Sequence, residues 1–266
     1  MGYTRRSADP CLYYRWDENG ELCMWLTWID DCIIIGSSDV VNREKEKMMR
    51  LFECDDVRPM EEYVGNKIEM CEKTLKLTQP VLLQSFVDEF DIRGSGEQLP
   101  AKPGQILSKG EEKDRLDENG QRKYRSGYGK LRYLATWSRP DILNAVREVS
   151  RYLQAPTHEH YKAMIRIMDY CVSTADRGRK VSPAQRWDGT KEAVFVVSGT
   201  ADAAYNQCPD SRKSVSGNTT ELQGVPVITR SFMQDTRKLS VTEAELDSLV
   251  SNVQDMLFTR QVVESM

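Results

Sequence analysis

Residues 22–36, from Leu22 to Gly36, read LCMWLTWIDDCIIIG. Two runs rich in aliphatic, aromatic and β-branched residues flank a short acidic centre, which predicts a β-hairpin even without an Asn-Gly turn. Asp30 and Asp31 fall at its tip. Successive strand residues point to opposite faces, so the two carboxylates can serve one site only where the chain turns. Adjacent like charges are costly unless a cation neutralises them, and Mg²⁺, which prefers carboxylate oxygens and retained water, suits such a pair. On these residues alone Asp-Asp reads first as an exposed acidic turn, because turns favour aspartate.

Outward from the hairpin, Asn42–Phe52 predicts a helix with Met48, Met49 and Phe52 on one face, its charge run Arg43–Arg50 forming a solvated face. Tyr63–Glu69 and Thr74–Thr78 predict strands, and Val81–Phe90 has helical spacing. Residues Arg93–Asn119, rich in Gly, Pro, Lys and Glu, predict a linker or long loop. A helical block follows. Ser138-Arg-Pro-Asp141 predicts a helix start ahead of an apolar stripe from Ile142 to Leu153, Pro156 breaks that helix, and Thr157 caps another running to about Thr174. After a second loop at Ala175–Thr190, strands are expected at Lys191–Val197 (ending near Asp202), Leu222–Arg230 and Arg237–Val241. A long helix is expected over Thr242–Val263.

The 266 residues suit one large domain or two ordinary ones. With 39% apolar and 29% charged residues, a packed core is feasible. Apolar runs such as Ala193–Val197 fall far short of the roughly 20 residues of a membrane span. Met1-Gly-Tyr-Thr-Arg-Arg6 resembles neither a signal peptide nor, with Arg6 in place of Ser or Thr, a myristoylation motif. The expectation is an intracellular chain, cytoplasmic or nuclear, with no membrane contact. Its seven cysteines form no C-x-x-C pair and read as reduced thiols. A net charge of −4 argues mildly against a dedicated nucleic-acid binder. His158 and His160 read as helix-start histidines rather than metal ligands.

Trp28-Ile-Asp-Asp31 between two apolar strands resembles the Tyr-X-Asp-Asp hairpin of reverse transcriptases, with Trp28 in place of the tyrosine. The resemblance continues, in order, to the copia-type retrotransposon polyproteins. Asp9-Pro-Cys-Leu-Tyr13 is similar to the segment preceding the hairpin, Tyr63-Val-Gly-Asn-Lys-Ile-Glu69 to a Phe-Leu-Gly-Ile-Glu-Ile stretch, and Leu77-Thr-Gln79 to Leu-Ser-Gln. Tyr124-Arg-Ser126, Tyr133-Leu-Ala135, Ser138-Arg-Pro-Asp-Ile142 and Ser150-Arg-Tyr-Leu-Gln-Ala-Pro156 resemble the connection region. Asp202-Ala-Ala-Tyr205, Asp210-Ser-Arg-Lys-Ser-Val-Ser-Gly217 and Thr242-Glu-Ala-Glu-Leu246 resemble the front of the ribonuclease H domain.

The resemblance implies an α+β chain. Residues 1–92 would form the rear palm and start of the thumb, 93–185 a linker with the helical thumb and connection, and 186–266 the first part of a ribonuclease H-like α/β domain. It implies Mg²⁺-dependent RNA-directed DNA synthesis with hydrolysis of RNA in the hybrid. Asp30 and Asp31 would hold metal for nucleotidyl transfer, and Asp202 and Glu245, on a strand and a facing helix, for RNA cleavage. The family's polymerase site takes a third aspartate from an earlier strand. Asp9 belongs to another motif and Asp17 to a turn-like Asp-Glu-Asn-Gly, while the ribonuclease site needs a further aspartate beyond its glutamate-bearing helix. Each two-metal site is therefore expected to be incomplete, and the chain inactive alone unless a partner, such as another polyprotein segment, supplies the rest.

Between Gln121 and Pro140, Arg122, Lys123, Arg125, Lys130, Arg132 and Arg139 stand without an acidic residue, interleaved with Tyr124, Tyr128, Tyr133 and Trp137. Cations can neutralise phosphates while rings stack on bases, which makes this the candidate surface for an RNA–DNA hybrid or template-primer. The alternative is that the rings face the core and the cations snorkel. The two functional readings are thus a retrotransposon polymerase–ribonuclease H fragment and a non-catalytic nucleic-acid-binding remnant.

Overall fold

The computed structural model describes residues 2–5, 9–57, 60–72, 74–187, 189–190 and 192–264. It is an α+β structure with three antiparallel sheets. Strands β1 (Thr4–Arg5), β2 (Leu12–Trp16), β3 (Leu22–Trp28) and β4 (Asp31–Gly36) pair in chain order. The β3–β4 hairpin is the expected one: Leu26 opposes Ile33 and Trp28 opposes Asp31, leaving Ile29 and Asp30 as a two-residue turn. Helix α1 (Ser38–Leu51), capped by the Ser37 side chain, covers one face by packing Val40 against Cys23 and Trp25. Its charge run is not wholly solvated as expected. Glu44 is fully buried and accepts from Tyr3 Oη at 2.9 Å and from Arg15 and Lys47 at 2.7 Å.

The second sheet runs β5 (Glu62–Tyr63), β6 (Asn66–Cys71), β7 (Thr74–Thr78) and β8 (Arg179–Val181). β8 arises within the stretch expected to be loop. Gly178 permits it, since a Cβ there would lie 2.3 Å from the Leu77 carbonyl oxygen.

The helical block comprises α2 (Pro80–Phe90), α3 (Glu118–Trp137), α4 (Leu143–Ser150) and α5 (His158–Ser173). Pro80 opens α2 at a position where its missing N–H costs nothing. A single 3₁₀ turn at Pro140–Ile142 precedes α4, which stops short of the expected Leu153. Thr157 and His160 form a capping box at the start of α5, with the Thr157 N–H donating to His160 Nδ1 at 3.0 Å. These helices enclose the main core, including Tyr124, Leu131, Leu134, Ile142, Ile167 and Met168. The expected linker is strapped to that core rather than loose. Leu107 and Leu116 insert into it, and Asp169 accepts from the Ser95 N–H and hydroxyl.

The last unit contains β9 (Val197–Ala204), β10 (Val215–Leu222), β11 (Val225–Met233) and α6 (Val241–Glu264), with sheet order β11-β10-β9. Three strand expectations change here. β9 begins at Val197, with Lys191 outside the described residues. The run from Leu222 is cut by a turn in which Gln223 and Gly224 both have positive φ, the requirement of a type I′ hairpin. Residues 237–240 lead into α6 instead of forming a strand, because Glu243 Oε2 accepts from the Leu239 N–H at 2.7 Å and Ser240 Oγ accepts from the Glu243 N–H at 3.1 Å.

Candidate functional site

At the hairpin tip Asp30 and Asp31 are both exposed, beside Trp28 at 51% and Ile29 at 88% exposure. Ile29 has φ of 54°, a conformation that a β-branched residue adopts only under constraint and at a cost of about 1–3 kcal/mol. Such strain gathers at functional sites, and here it holds two apolar side chains and two carboxylates in solvent. Tyr63 approaches from the second sheet; burial pushes its hydroxyl pKa up, and the neighbouring Asp31 carboxylate adds to the rise.

The other carboxylate pair is not brought onto one sheet face. In β9, Asp202 opposes Gly217 and Ala203 opposes Ser216. The α6 side of the sheet carries Ser216, Asn218 and Thr220. A Cβ on Gly199 would point to the same side, meeting Met256 and Asn252 of α6. Asp202 has the opposite parity, so its exposed side chain leaves the sheet on the face away from α6. Glu245 is half-buried on α6 itself, one turn before Ser248, whose hydroxyl lies 2.9 Å from the backbone carbonyl of Asp202 and not from its carboxylate. The expected facing arrangement therefore fails on strand alternation. Among the described residues no group of three His, Cys, Asp or Glu side chains is placed to hold a metal ion.

The six cations of the third candidate site separate. All lie on or beside α3, but Arg139 is 2% exposed and belongs to the core. Its guanidinium donates to both Asp141 carboxylate oxygens at 2.9 Å, to the Thr174 carbonyl at 3.1 Å and to the Thr174 hydroxyl at 2.8 Å. Lys130 donates to Glu89 at 2.6 Å and Ser85 at 2.9 Å. Arg122, Lys123, Arg125 and Arg132 remain exposed; Arg122 pairs with Glu118, and Arg125 Nε donates to the Leu153 carbonyl at 3.0 Å. The rings divide too. Tyr124 is buried with its hydroxyl on the Val149 carbonyl at 2.7 Å, whereas Tyr133 is exposed and packs 6.4 Å from Trp137.

Two polar groups outside the expected sites join the helical block to the last sheet. Asp210 accepts from the Lys109 N–H, Arg151 and Tyr152 at 2.9–3.1 Å. Cys208 Sγ lies 2.9 Å from both Arg151 Nη2 and Ser211 Oγ. Burial pushes its thiol pKa up, but these hydrogen bonds and the Arg151 charge outweigh it and leave it below the usual value. Nothing in the local sequence marks the join to the helical block, because Lys109, Arg151 and Tyr152 lie more than fifty residues away. All seven cysteines are free. No described helix is long and apolar enough to cross a membrane.

No family model and no solved structure matches the chain. It is 26% identical over 271 residues to the retrovirus-related Pol polyprotein of transposon TNT 1-94 from Nicotiana tabacum, covering 99% of this chain and 20% of that one. It is 24% identical over 258 residues to the Pol polyprotein of transposon RE1 from Arabidopsis thaliana, covering 96% and 17%. A secreted RxLR effector protein of Plasmopara viticola is 33% identical over 135 residues, covering 51% of this chain and 89% of that one. The chain spans about a fifth of the length of the transposon relatives. Nearly all of its own length aligns to them: its homologues are retrovirus-related Pol polyproteins of copia-type transposons.

Proposed function

We propose that the chain corresponds to the rear palm, thumb and connection of a copia-type reverse transcriptase followed by the front of a ribonuclease H fold. By itself it holds nucleic acid rather than turning it over. The observation that carries this reading is the distribution of carboxylates: Asp30 and Asp31 stand in solvent with no third ligand beside them among the described residues, and Asp202 and Glu245 lie on opposite sides of a sheet. Charge stabilisation by two clamped ions supplies several kcal/mol in such reactions, so a half-built clamp forfeits orders of magnitude in rate. The exposed face of α3 supports the binding half of the proposal. Arg122, Arg125 and Arg132 share one stripe with Tyr133, separated by the small residues Ser126 and Gly129, so phosphates can approach the helix closely.

Two measurements test it. The purified chain with Mg²⁺ and labelled deoxynucleotides on an RNA template should give no primer extension; unaided incorporation abolished by Asp31→Asn overturns the inactive reading. Filter binding of an RNA–DNA hybrid at low salt should detect affinity that falls when Arg125 and Arg132 are both changed to Glu. Absent binding, or affinity indifferent to that reversal, overturns the binding reading.

A further inference from the structure

Helix α6 is mounted with its polar side inward. The residues it buries are Ala244, Ser248, Asn252, Asp255 and Thr259, which recur at intervals of three and four and rest on β9 and β10. Half a turn away lie Leu246, Leu249, Val250, Val253 and Leu257, each 43–58% exposed. A surface helix ordinarily reverses this arrangement, turning its apolar stripe to the core. A continuous aliphatic seam along one helix exceeds the scattered single apolar residues normal on a surface, and marks a place where another molecule sits.

The seam carries its own specification of that molecule. Leu246, Val250, Val253 and Leu257 are spaced four, three and four apart, the repeat of a coiled-coil contact line. This series reads the same in both directions about a point between Val250 and Val253. An identical helix laid antiparallel across that point sets Leu246 against the partner's Leu257 and Val250 against the partner's Val253. The flanking charges obey the same symmetry. Glu243 lies seven residues before Val250 and Arg260 seven residues after Val253, so each glutamate meets the partner's arginine at both ends. Both are exposed at the surface, where Glu243 also accepts from the Leu239 N–H and Arg260 pairs with Glu264 on its own helix, leaving each a further oxygen or N–H for the partner. The two helix dipoles also oppose, which is their favourable arrangement. Beside the C-terminal half of the seam runs an open groove of about 770 Å³. Its far wall is made by Trp16, Trp187 and Phe195, stacked edge-on at 6.5 and 5.7 Å. In the antiparallel arrangement that wall receives the partner's N-terminal half, including its Leu246 and Leu249.

We infer that the outer face of α6 is a self-association surface on which two copies of this chain pair antiparallel about a two-fold axis between Val250 and Val253. A self-complementary patch of this kind gives a closed dimer, not an open fibre.

The full chain tests this by sedimentation equilibrium over a concentration series, with circular dichroism confirming that each variant is folded. The wild type should reach twice the chain mass. Val253→Glu, a substitution at an already exposed position beside the axis, should leave a monomer. Glu243→Arg and Arg260→Glu should each weaken the dimer about tenfold by placing like charges at both ends, and the double exchange should restore most of the loss. A wild-type monomer at all concentrations overturns the proposal. So does a dimer indifferent to Val253→Glu, heterogeneous aggregation in place of a dimer, or a double exchange weaker than either single one.

Discussion

The helical block and the C-terminal unit solve the same packing problem in opposite ways. Helices α2–α5 close around aliphatic and aromatic side chains, with Leu131, Leu134, Ile142 and Met168 fully buried. Helix α6 meets its sheet through hydroxyls and amides. Thr220 Oγ1 donates to Asn252 Oδ1 at 2.8 Å, and Ser248 and Asn218 share a hydrogen bond of 2.8 Å. A buried aliphatic side chain contributes about 1.5–3 kcal/mol, a hydrogen bond exchanged with water nearer 1. The helical block is therefore stabilised mainly from within. The C-terminal unit turns the apolar face of α6 outward instead.

The largest test of that contrast removes the same atoms from each region. Leu134→Ala leaves a cavity at a fully buried position of the main core, and should cost about 2–5 kcal/mol in urea unfolding. Leu249→Ala, at a side chain 52% exposed on α6, should stay within about 0.5 kcal/mol at concentrations too low for association. Equal losses at the two sites would remove the contrast.

A smaller test places one methyl group in each region. At Gly127 of α3 a new Cβ would lie 2.6 Å from Met164 Sδ and 2.8 Å from Met168 Cε. These are the ends of flexible chains, and alanine gains about 1 kcal/mol of helix propensity. At Gly199 of β9 the same Cβ would meet Asn252 Nδ2 at 2.8 Å, and Asn252 is held by Thr220. Gly127→Ala should be near neutral, while Gly199→Ala should cost about 1–3 kcal/mol and show as lost amide protection in α6. The reverse order would mean that the polar contact is the more yielding of the two.

This contrast also explains what could be read in the sequence. The β3–β4 hairpin and helices α2, α4 and α5 were legible because their buried residues are apolar and periodic; α3, whose cations and glycines interrupt its stripe, was not marked out as a helix. β10 was not, since the residues facing α6 are Ser216, Asn218 and Thr220, and an alternation of polar with polar leaves no trace in hydropathy. The α6 helix was legible as a helix, but its apolar residues mark the outer side and not the core. Glu44 looked like one more charge on a solvated face because its partners Tyr3 and Arg15 lie about thirty to forty residues upstream. Of the candidate sites, the position of Asp30 and Asp31 at a turn was readable from local pattern. That Arg139 faces inward depends on Thr174, and that Asp202 faces away from α6 depends on strand register; neither is a local property.

The smallest expected effect is a difference of sign between two aspartates. Burial raises the Asp141 pKa, but the hydrogen bonds and charge of Arg139 outweigh it and hold the carboxyl below its ordinary value. The ion pair thus contributes stability above the unfolded value of about 3.9 and loses it as pH falls through the depressed one. Asp255 beneath α6 goes the other way. Burial holds its carboxyl above the ordinary value, and Arg230 at 2.6 Å only partly compensates. Its folded form binds a proton more readily than its unfolded form, so this cost is present at neutral pH and is relieved as pH falls towards about 3.9. Hydrogen exchange corrected for intrinsic rates should therefore show α6 gaining protection on mild acidification while α3 and α5 hold steady, then α5 losing it below about pH 4. Asp255→Asn should abolish the α6 response and leave that of α5 intact. If α6 in that variant still responded to pH, the gain would have come from outside the interface, and the polar contact would not be the feature that separates the two regions.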